Sequence, residues 1–392
     1  MTDPEDVLDR SVDKLSTVIS RDGELEVPSS RRAFLRRASA LSLAIPGLGA
    51  ALTSCKPEQE AQRGATTGAD TTGPGARRRT AHNPDSKLDT ALHRPGEHPT
   101  TTTAGVAGTA ASAVYQRFDP TLPPLSDERT LRLHWHSQET PVRISASTVV
   151  AGWTFEGNIP GPIVHCRVGD TVEFTLTNDV DIPHSMDFHA AQIDPKVAFR
   201  SVPKGQSISY TFKPRYAGAF LYHCGTAPVL MHIGSGMFGA IVVSPRIPLP
   251  RAKEFVLVQS EFYLGDEKDG MQPFDYHKML EAEPDFVAFN GRPDQYGREP
   301  IHVKVGDRVR FWVVCAGPTL SSAFHIVGEQ FEKVYLGAPP GNSIEGVQTF
   351  SVPAGGGMCF ELVCDIPGEF PFVNHAFGHG QKGAIGYLVV EP

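Results

Sequence analysis

The 392-residue chain is predicted to be all-β: two tandem copies of one β-sandwich behind a long non-globular N-terminus. Three observations predict this. With 38 Gly and 33 Pro, short apolar runs alternate with turn residues, the texture of many short strands. Hydrophobic residues make up 40% of the chain, enough for two ordinary cores. A strand-rich passage also recurs in the second half with its parts in the same order. A net charge of −8 and no long basic block argue against nucleic acid as a partner.

The chain opens with an address. SRRAFLRR (30–37) and the apolar ASALSLAIPGLGAALTSC (38–55) combine paired arginines, a short apolar segment and small residues before Cys55. Together they resemble a twin-arginine export signal ending in a lipobox. The apolar stretch is short for a bilayer-spanning helix, so residues 1–55 are expected to be a leader. Cys55 is expected to be lipidated, leaving the protein exported and anchored by lipid only, at the cell surface or on the periplasmic side. Residues 56–115 are rich in Thr, Ala, Gly, Pro and Ser. They cannot bury enough apolar surface to offset their ordering entropy, so they are expected to be a disordered tether reaching roughly 40 Å.

The folded part is expected over 116–246 and 253–392. WTFEGNIPGPIVHCRVGDTVEFTLTN (153–178) is echoed by FNGRPDQYGREPIHVKVGDRVRFWVV (289–314). MDFHAA, YAGAFLYHC and GMFGAIVV find counterparts in SAFHIV, IPGEFPFVNH and KGAIGYLVV, in that order. Four ordered parallels point to an internal duplication joined near SPRIPLPRAKE (244–254).

The copies differ where the chemistry is. LYHCGTAPVLMHIGSGM (221–237) holds Cys224, His232 and Met237, with seven residues between the first two and four between the last two. One loop can bring a thiolate, an imidazole and a weak thioether to one ion, the ligand type of an electron-transfer copper site. His184 in DIPHSMDFH is the candidate fourth ligand. Met231 should point away. VHC (164–166) has no such loop after it, so His165 and Cys166 read as strand residues.

Successive strand residues face opposite ways, so if Cys224 faces the interior, His223 faces out. The same parity sends His184 one way and Asp187 and His189 the other. His189, His223 and Asp187 should therefore meet on the outer face. Two exposed imidazoles need a third nitrogen, and His325 and His375 are available in the second half. An open site completed by another domain or subunit is the catalytic form of such a centre.

These residues stand in passages that resemble the copper-containing, nitric-oxide-forming nitrite reductases, in their branch with a short loop between Cys and the second His. The resemblance covers about 116–392 and rests on IPHSMDFHAA, YHCGTAPVLMHIGSGM, QPFDYHKM, FVAFNG, SSAFHIVGEQFEKVY, VPAGGG and VNHAFGHGQKGAIG. It implies two cupredoxin-like Greek-key sandwiches of the multicopper oxidase superfamily. It further implies a type 1 copper on His184, Cys224, His232 and Met237, and a type 2 copper on His189, His223 and a neighbouring chain's His375. Asp187 and His325 would hold nitrite and deliver protons. The electron would come from a small cupredoxin or cytochrome c donor and pass along Cys224 and His223, in a head-to-tail homotrimer. The departures are QIDPKVAFRSVPKG (192–205), expected near the substrate approach, and an extra His379 expected in a solvated loop.

Two other functions use similar residues. A laccase-like oxidase would need several HxH pairs, and the sequence has one, HWH at 134–136, read as a same-face surface pair. A copper electron carrier would lack a working type 2 site. Cys315, Cys359 and Cys364 are expected to be buried thiols, with a link from Cys315 to one of the others left open. His277 and His302 have no assigned role.

Overall fold

The computed structural model describes residue 103 and residues 106–392. The export signal, Cys55 and the tether up to 102 lie outside the described residues.

The first half holds β1 (Thr130–Arg143), β2 (Val149–Phe155), β3 (Val164–Arg167), β4 (Thr171–Asn178), β5 (Asp187–Phe188), β6 (Ser207–Phe212), β7 (Gly218–His223) and β8 (Phe238–Ser244). These form two four-stranded sheets, ordered β2-β1-β4-β6 and β3-β8-β7-β5. The second half holds β9 (Lys253–Phe262), β10 (Phe286–Phe289), β11 (Glu299–Lys304), β12 (Arg308–Gly317), β13 (Ser322–Ile326) and β14 (Phe331–Tyr335). It continues with β15 (Ser343–Val347), β16 (Thr349–Val352), β17 (Gly357–Val363), β18 (Gly368–Asn374) and β19 (Ile385–Glu391). Their sheets run β10-β9-β12-β17-β14-β15 and β11-β19-β18-β13-β16.

The pairing repeats as the sequence does. β1 runs parallel to β4 as β9 does to β12, and β3 to β8 as β11 to β19. β7 pairs antiparallel with β5 and β8 as β18 does with β13 and β19. Each VGD tripeptide makes the same tight turn into β4 or β12. Gly169 and Gly306 sit at φ +84° and +86°, where glycine carries no Cβ penalty. The carboxylates of Asp170 and Asp307 accept the Arg167 and Lys304 N–H at 2.8 Å.

β12 reads RVRFWVVCAG with almost no polar alternation, because both its faces are covered. Val309, Phe311, Val313 and Cys315 enter the second sandwich's own core, whereas Trp312, Val314 and Ala316 pack with first-sandwich residues. β9 divides likewise, Phe255 and Leu257 against Val256 and Val258. On β17, Gly357 approaches so closely that a Cβ there would collide with the Ala219 carbonyl of β7.

Two stretches differ from expectation. Residues 106–115 are docked. Ala107 N–H donates to the Glu139 carbonyl at 3.0 Å, and the Arg143 guanidinium donates to the Ala113 and Ala110 carbonyls at 2.8 and 3.1 Å. Val106, Ala110 and Ala113 pack with Val149 and Met271. Small side chains lose little entropy on ordering, and a charged donor supplied by β1 outweighs it, which composition alone does not register. Further on, Leu122 N–H donates to the Glu254 carbonyl and Val256 N–H to the Pro120 carbonyl, at 2.9 and 2.7 Å. The start of the expected first domain thus runs along β9 of the second.

Cys315, Cys359 and Cys364 are free and buried, and the described residues contain no disulfide. Cys359 faces the first sandwich while Cys315 and Cys364 face the second core. Burial pushes the Cys315 and Cys364 thiols up to about 12.

Gly357→Ala should cost about 1–3 kcal/mol through overpacking against β7. Urea denaturation of the full chain measures this; an unchanged midpoint would show that β17 and β7 separate freely.

Candidate metal centres

Cys224 follows β7 directly. Its N–H donates to the Met237 carbonyl, and Met237 N–H donates to the His232 carbonyl, each at 3.1 Å. The short helix Val229–Gly234 carries His232 back toward the thiol. His184 arrives from elsewhere, held in an isolated bridge with Val202. The His232 Nδ1 lies 3.2 Å from Cys224 Sγ, His184 Nδ1 lies 3.9 Å from it, and the two nitrogens are 3.1 Å apart. Met237 is fully buried in the same core.

Burial dictates the protonation of this cluster. It holds the His184 imidazole well below its ordinary value and His232 down at about 4, which favours the neutral form that a metal ligand requires. It pushes the Cys224 thiol up, against hydrogen bonds from Ser185 and Thr226 that favour the thiolate. His184 Nε2 is buried without a partner. A soft cation would bind the converging lone pairs and make the thiolate the favoured form. The donor set with Met237 alongside fits copper.

Four residues the sequence reading missed surround it. Trp153 sets its ring 4.9 Å from that of His232 and 5.8 Å from that of His184. Ser185 N–H donates to Cys224 Sγ at 3.3 Å. The Ser185 hydroxyl accepts from Gly225 N–H at 3.0 Å and from the Thr226 hydroxyl at 3.1 Å. Ser201 continues this chain, 3.0 Å from Thr226. Ser201 and Val202 belong to the 192–205 segment expected near the substrate approach. Its second half instead packs on the buried cluster, with Phe199 against Gly225. Sequence gives no signal for this, because serine and threonine reveal nothing of their partners.

The outer cluster forms where β5 meets β7. Asp187 and His223 are direct cross-strand partners and so share a face. Asp187 Oδ2 lies 3.6 Å from His223 Nε2 and 3.7 Å from His189 Nε2. Parity works for His223 and Cys224, but not along 184–189, where β5 spans two residues and His189 stands in the following turn. Pairing with β7, rather than uninterrupted alternation, turns Asp187 outward.

Each imidazole here is anchored by a backbone carbonyl. His223 Nδ1 donates to Cys224 O at 2.9 Å, and His189 Nδ1 donates to Gly355 O, in the second sandwich, at 3.0 Å. A carbonyl only accepts, so both Nδ1 atoms carry the proton and both Nε2 lone pairs face each other across 3.0 Å. That arrangement repels unless a cation or proton lies between them, and it fits a metal. Burial lowers His223 to about 4 and raises the Asp187 carboxyl, with His189 opposing the latter.

His325 and His375 form a separate pair with ring centroids 5.1 Å apart. His325 Nδ1 donates to Gln348 O at 2.7 Å, and the His375 N–H donates to Ala323 O at 2.7 Å. Within one chain, the ligand groups found among the described residues are His184–Cys224–His232 and Asp187–His189–His223, and His375 joins neither. His379 turns back to Asn374 Nδ2 at 3.1 Å. His165 bonds Pro123 O and Ser244 Oγ, and His134 and His136 stack side by side on β1.

Residues 130–247 match the multicopper oxidase family. The copper-containing nitrite reductase of Neisseria meningitidis serogroup A is 39% identical over 285 residues, 69% of this chain and 73% of that protein. The chain belongs to the copper-containing nitrite reductases. Another copper-containing nitrite reductase, from Cereibacter sphaeroides, is 29% identical over 281 residues, 64% of this chain and 74% of the relative. The solved copper nitrite reductase of Nitrosomonas europaea superposes with a TM-score of 0.63 at 35% identity, covering 67% of this chain and 94% of that one. The two-sandwich, cupredoxin-like architecture is thus that of a copper-containing nitrite reductase.

Loaded with copper, the protein should show intense visible absorption that Cys224→Ala abolishes. Thr226→Val should keep the band but shift its energy, because the Thr226 hydroxyl that donates to Ser185 beside the sulfur is lost. An unmoved spectrum would remove the hydroxyl chain from the site.

Proposed function

We propose that the protein reduces nitrite to nitric oxide, taking up one electron and two protons and releasing one water for each nitrite. One observation carries this reading: Cys224 and His223 are consecutive residues committed to two different clusters, one buried and one at the surface. When bound, copper would supply a one-electron centre at the inner cluster and a Lewis acid at the outer one.

The chain's own residues do the rest. The Cys224–His223 peptide unit is the shortest covalent link between the clusters. Its geometry is held by the His223–Cys224 carbonyl contact and by Gly355 on His189. Asp187, with its side chain 19% exposed, faces the outer cluster, and the burial that raises its carboxyl makes a proton available to a nitrite oxygen. His325 uses Nδ1 on Gln348 O and keeps Nε2 for proton transfer.

His375 and His325 stand together in the second sandwich, apart from the outer cluster of their own chain. A head-to-tail homotrimer would bring this pair from one copy onto Asp187, His189 and His223 of the next. Export, a lipid anchor at Cys55, the 56–102 tether and a small cupredoxin or cytochrome c donor complete the proposal. The domain limits 116–246 and 253–392 also belong to it, with the 106–122 segment lying across both halves. Oxygen reduction at a three-copper cluster is disfavoured because HWH contributes no third ligand group among the described residues and His136 is engaged with Asp179 at 2.8 Å.

Supplied with reduced dye and nitrite without oxygen, the copper-loaded protein should release nitric oxide. Asp187→Asn and His325→Ala should each slow turnover by about 10²-fold or more. Oxygen uptake in air with no nitric oxide from nitrite would overturn the assignment. Separately, His189→Ala and His375→Ala chains, each inactive alone, should regain activity when assembled together, with about a quarter of sites intact. No recovery in a verified mixed oligomer would place the third imidazole within one chain.

A further inference from the structure

The connector between the sandwiches, residues 245–252, covers a cavity of about 380 Å³, within the range of small-molecule sites. It is remote from the metal clusters. β8 leaves Met237 at one end and reaches the cavity with Ser244 at the other, seven residues on, about 20 Å away.

Arg129, Arg167, Arg246, Arg251 and Arg310 all line it, against one carboxylate, Glu254. Three of the five are already answered. Arg129 Nε reaches Asp170 at 2.8 Å, and Arg167 donates to Ser126 O at 2.7 Å with Asp170 3.7 Å away. Arg310, 2% exposed, is bound to Glu361 at 2.5 Å, to Glu254 at 3.2 Å and to the Pro250 carbonyl. Arg246 and Arg251 have no hydrogen bond or ion pair among the described residues. The Arg246 guanidinium lies over the Gly169 turn, beside the arginines that share Asp170. Asp170, Glu254 and Glu361 thus answer Arg129, Arg167 and Arg310, Arg308 sharing Glu361 while held also by Glu332, and Arg246 and Arg251 stay unanswered in a chain whose net charge is −8.

A half-enclosed cleft lined by one sign of charge concentrates counter-ions. Guanidinium forks pair in a planar, two-point fashion with phosphate and carboxylate groups. Leu249 and Trp312 add apolar wall, so the space extends beyond a bare ion. We propose that this cavity binds one phosphate-type dianion through Arg246 and Arg251, with Arg129 and Arg167 as the inner rim. The bound dianion ties the connector to the end of the first sandwich. The phosphate could be free or the headgroup of a lipid, and the same arginines would recognise either.

The test uses the copper-loaded full chain and its Arg246→Gln/Arg251→Gln variant. Both arginines are surface side chains on the connector, so the variant should keep the parent's melting temperature in chloride and its nitrite turnover. Inorganic phosphate, compared with chloride at equal ionic strength, should raise the parent's melting temperature and titrate calorimetrically to one per chain. The variant should bind at least tenfold more weakly. Vesicles of phosphatidylcholine with and without phosphatidic acid form the second arm. Arginine-dependent sedimentation with phosphatidic acid, in the absence of phosphate binding, assigns the headgroup form. The proposal is overturned if chloride reproduces the phosphate effect, or if parent and variant respond alike in both arms.

Discussion

Two neighbouring side chains on a β-strand must point to opposite faces, and the end of β7 uses that rule to divide adjacent residues between two clusters. Cys224 enters the core and His223 leaves it, so one peptide unit joins a dry, soft-ligand cluster to a wetter, nitrogen-rich one. Every other feature of the site holds those two faces where they are. Met237 and His232 close the loop over the thiol through backbone hydrogen bonds, and Asp187 is fixed opposite His223 by strand pairing.

The second sandwich is the platform for the first. The central strands β9 and β12 of its six-stranded sheet carry apolar residues on both faces, one set filling its own core and the other packing with the first sandwich. The same domain sends the Gly355 carbonyl to His189 and the Gly357 backbone against β7. The half that lacks the Cys-His-Met trio thus serves as structural support, and it offers His325 and His375 on another surface. Buried imidazoles kept neutral and lone pairs set face to face make both clusters costly without a cation and favourable with one.

Much of this was legible in the residues. Cys224, His232 and Met237 are close in sequence, so their spacing alone predicts one cluster, and backbone hydrogen bonds hold the three together in the fold. The duplication was legible because each half must repeat the same turn chemistry at VGD and the same pairing order. His223 was legible by parity. Asp187 and His189 do share the outer face with His223, but β5 is too short to carry alternation from His184, and pairing with β7 places them there instead.

The sequence by itself determined the two-sandwich class, the clustering of Cys224 with His232 and the division of His223 from Cys224, because these follow from local period, turn residues and short spacing. Only the tertiary structure decided that Gly355 aims His189, that Ser201 and Thr226 extend a hydroxyl chain to the thiol, and that 106–122 docks on both halves. It alone gathered five arginines under the connector. These are contacts between residues far apart in the chain, several made by backbone carbonyls, and a carbonyl is the same in every residue.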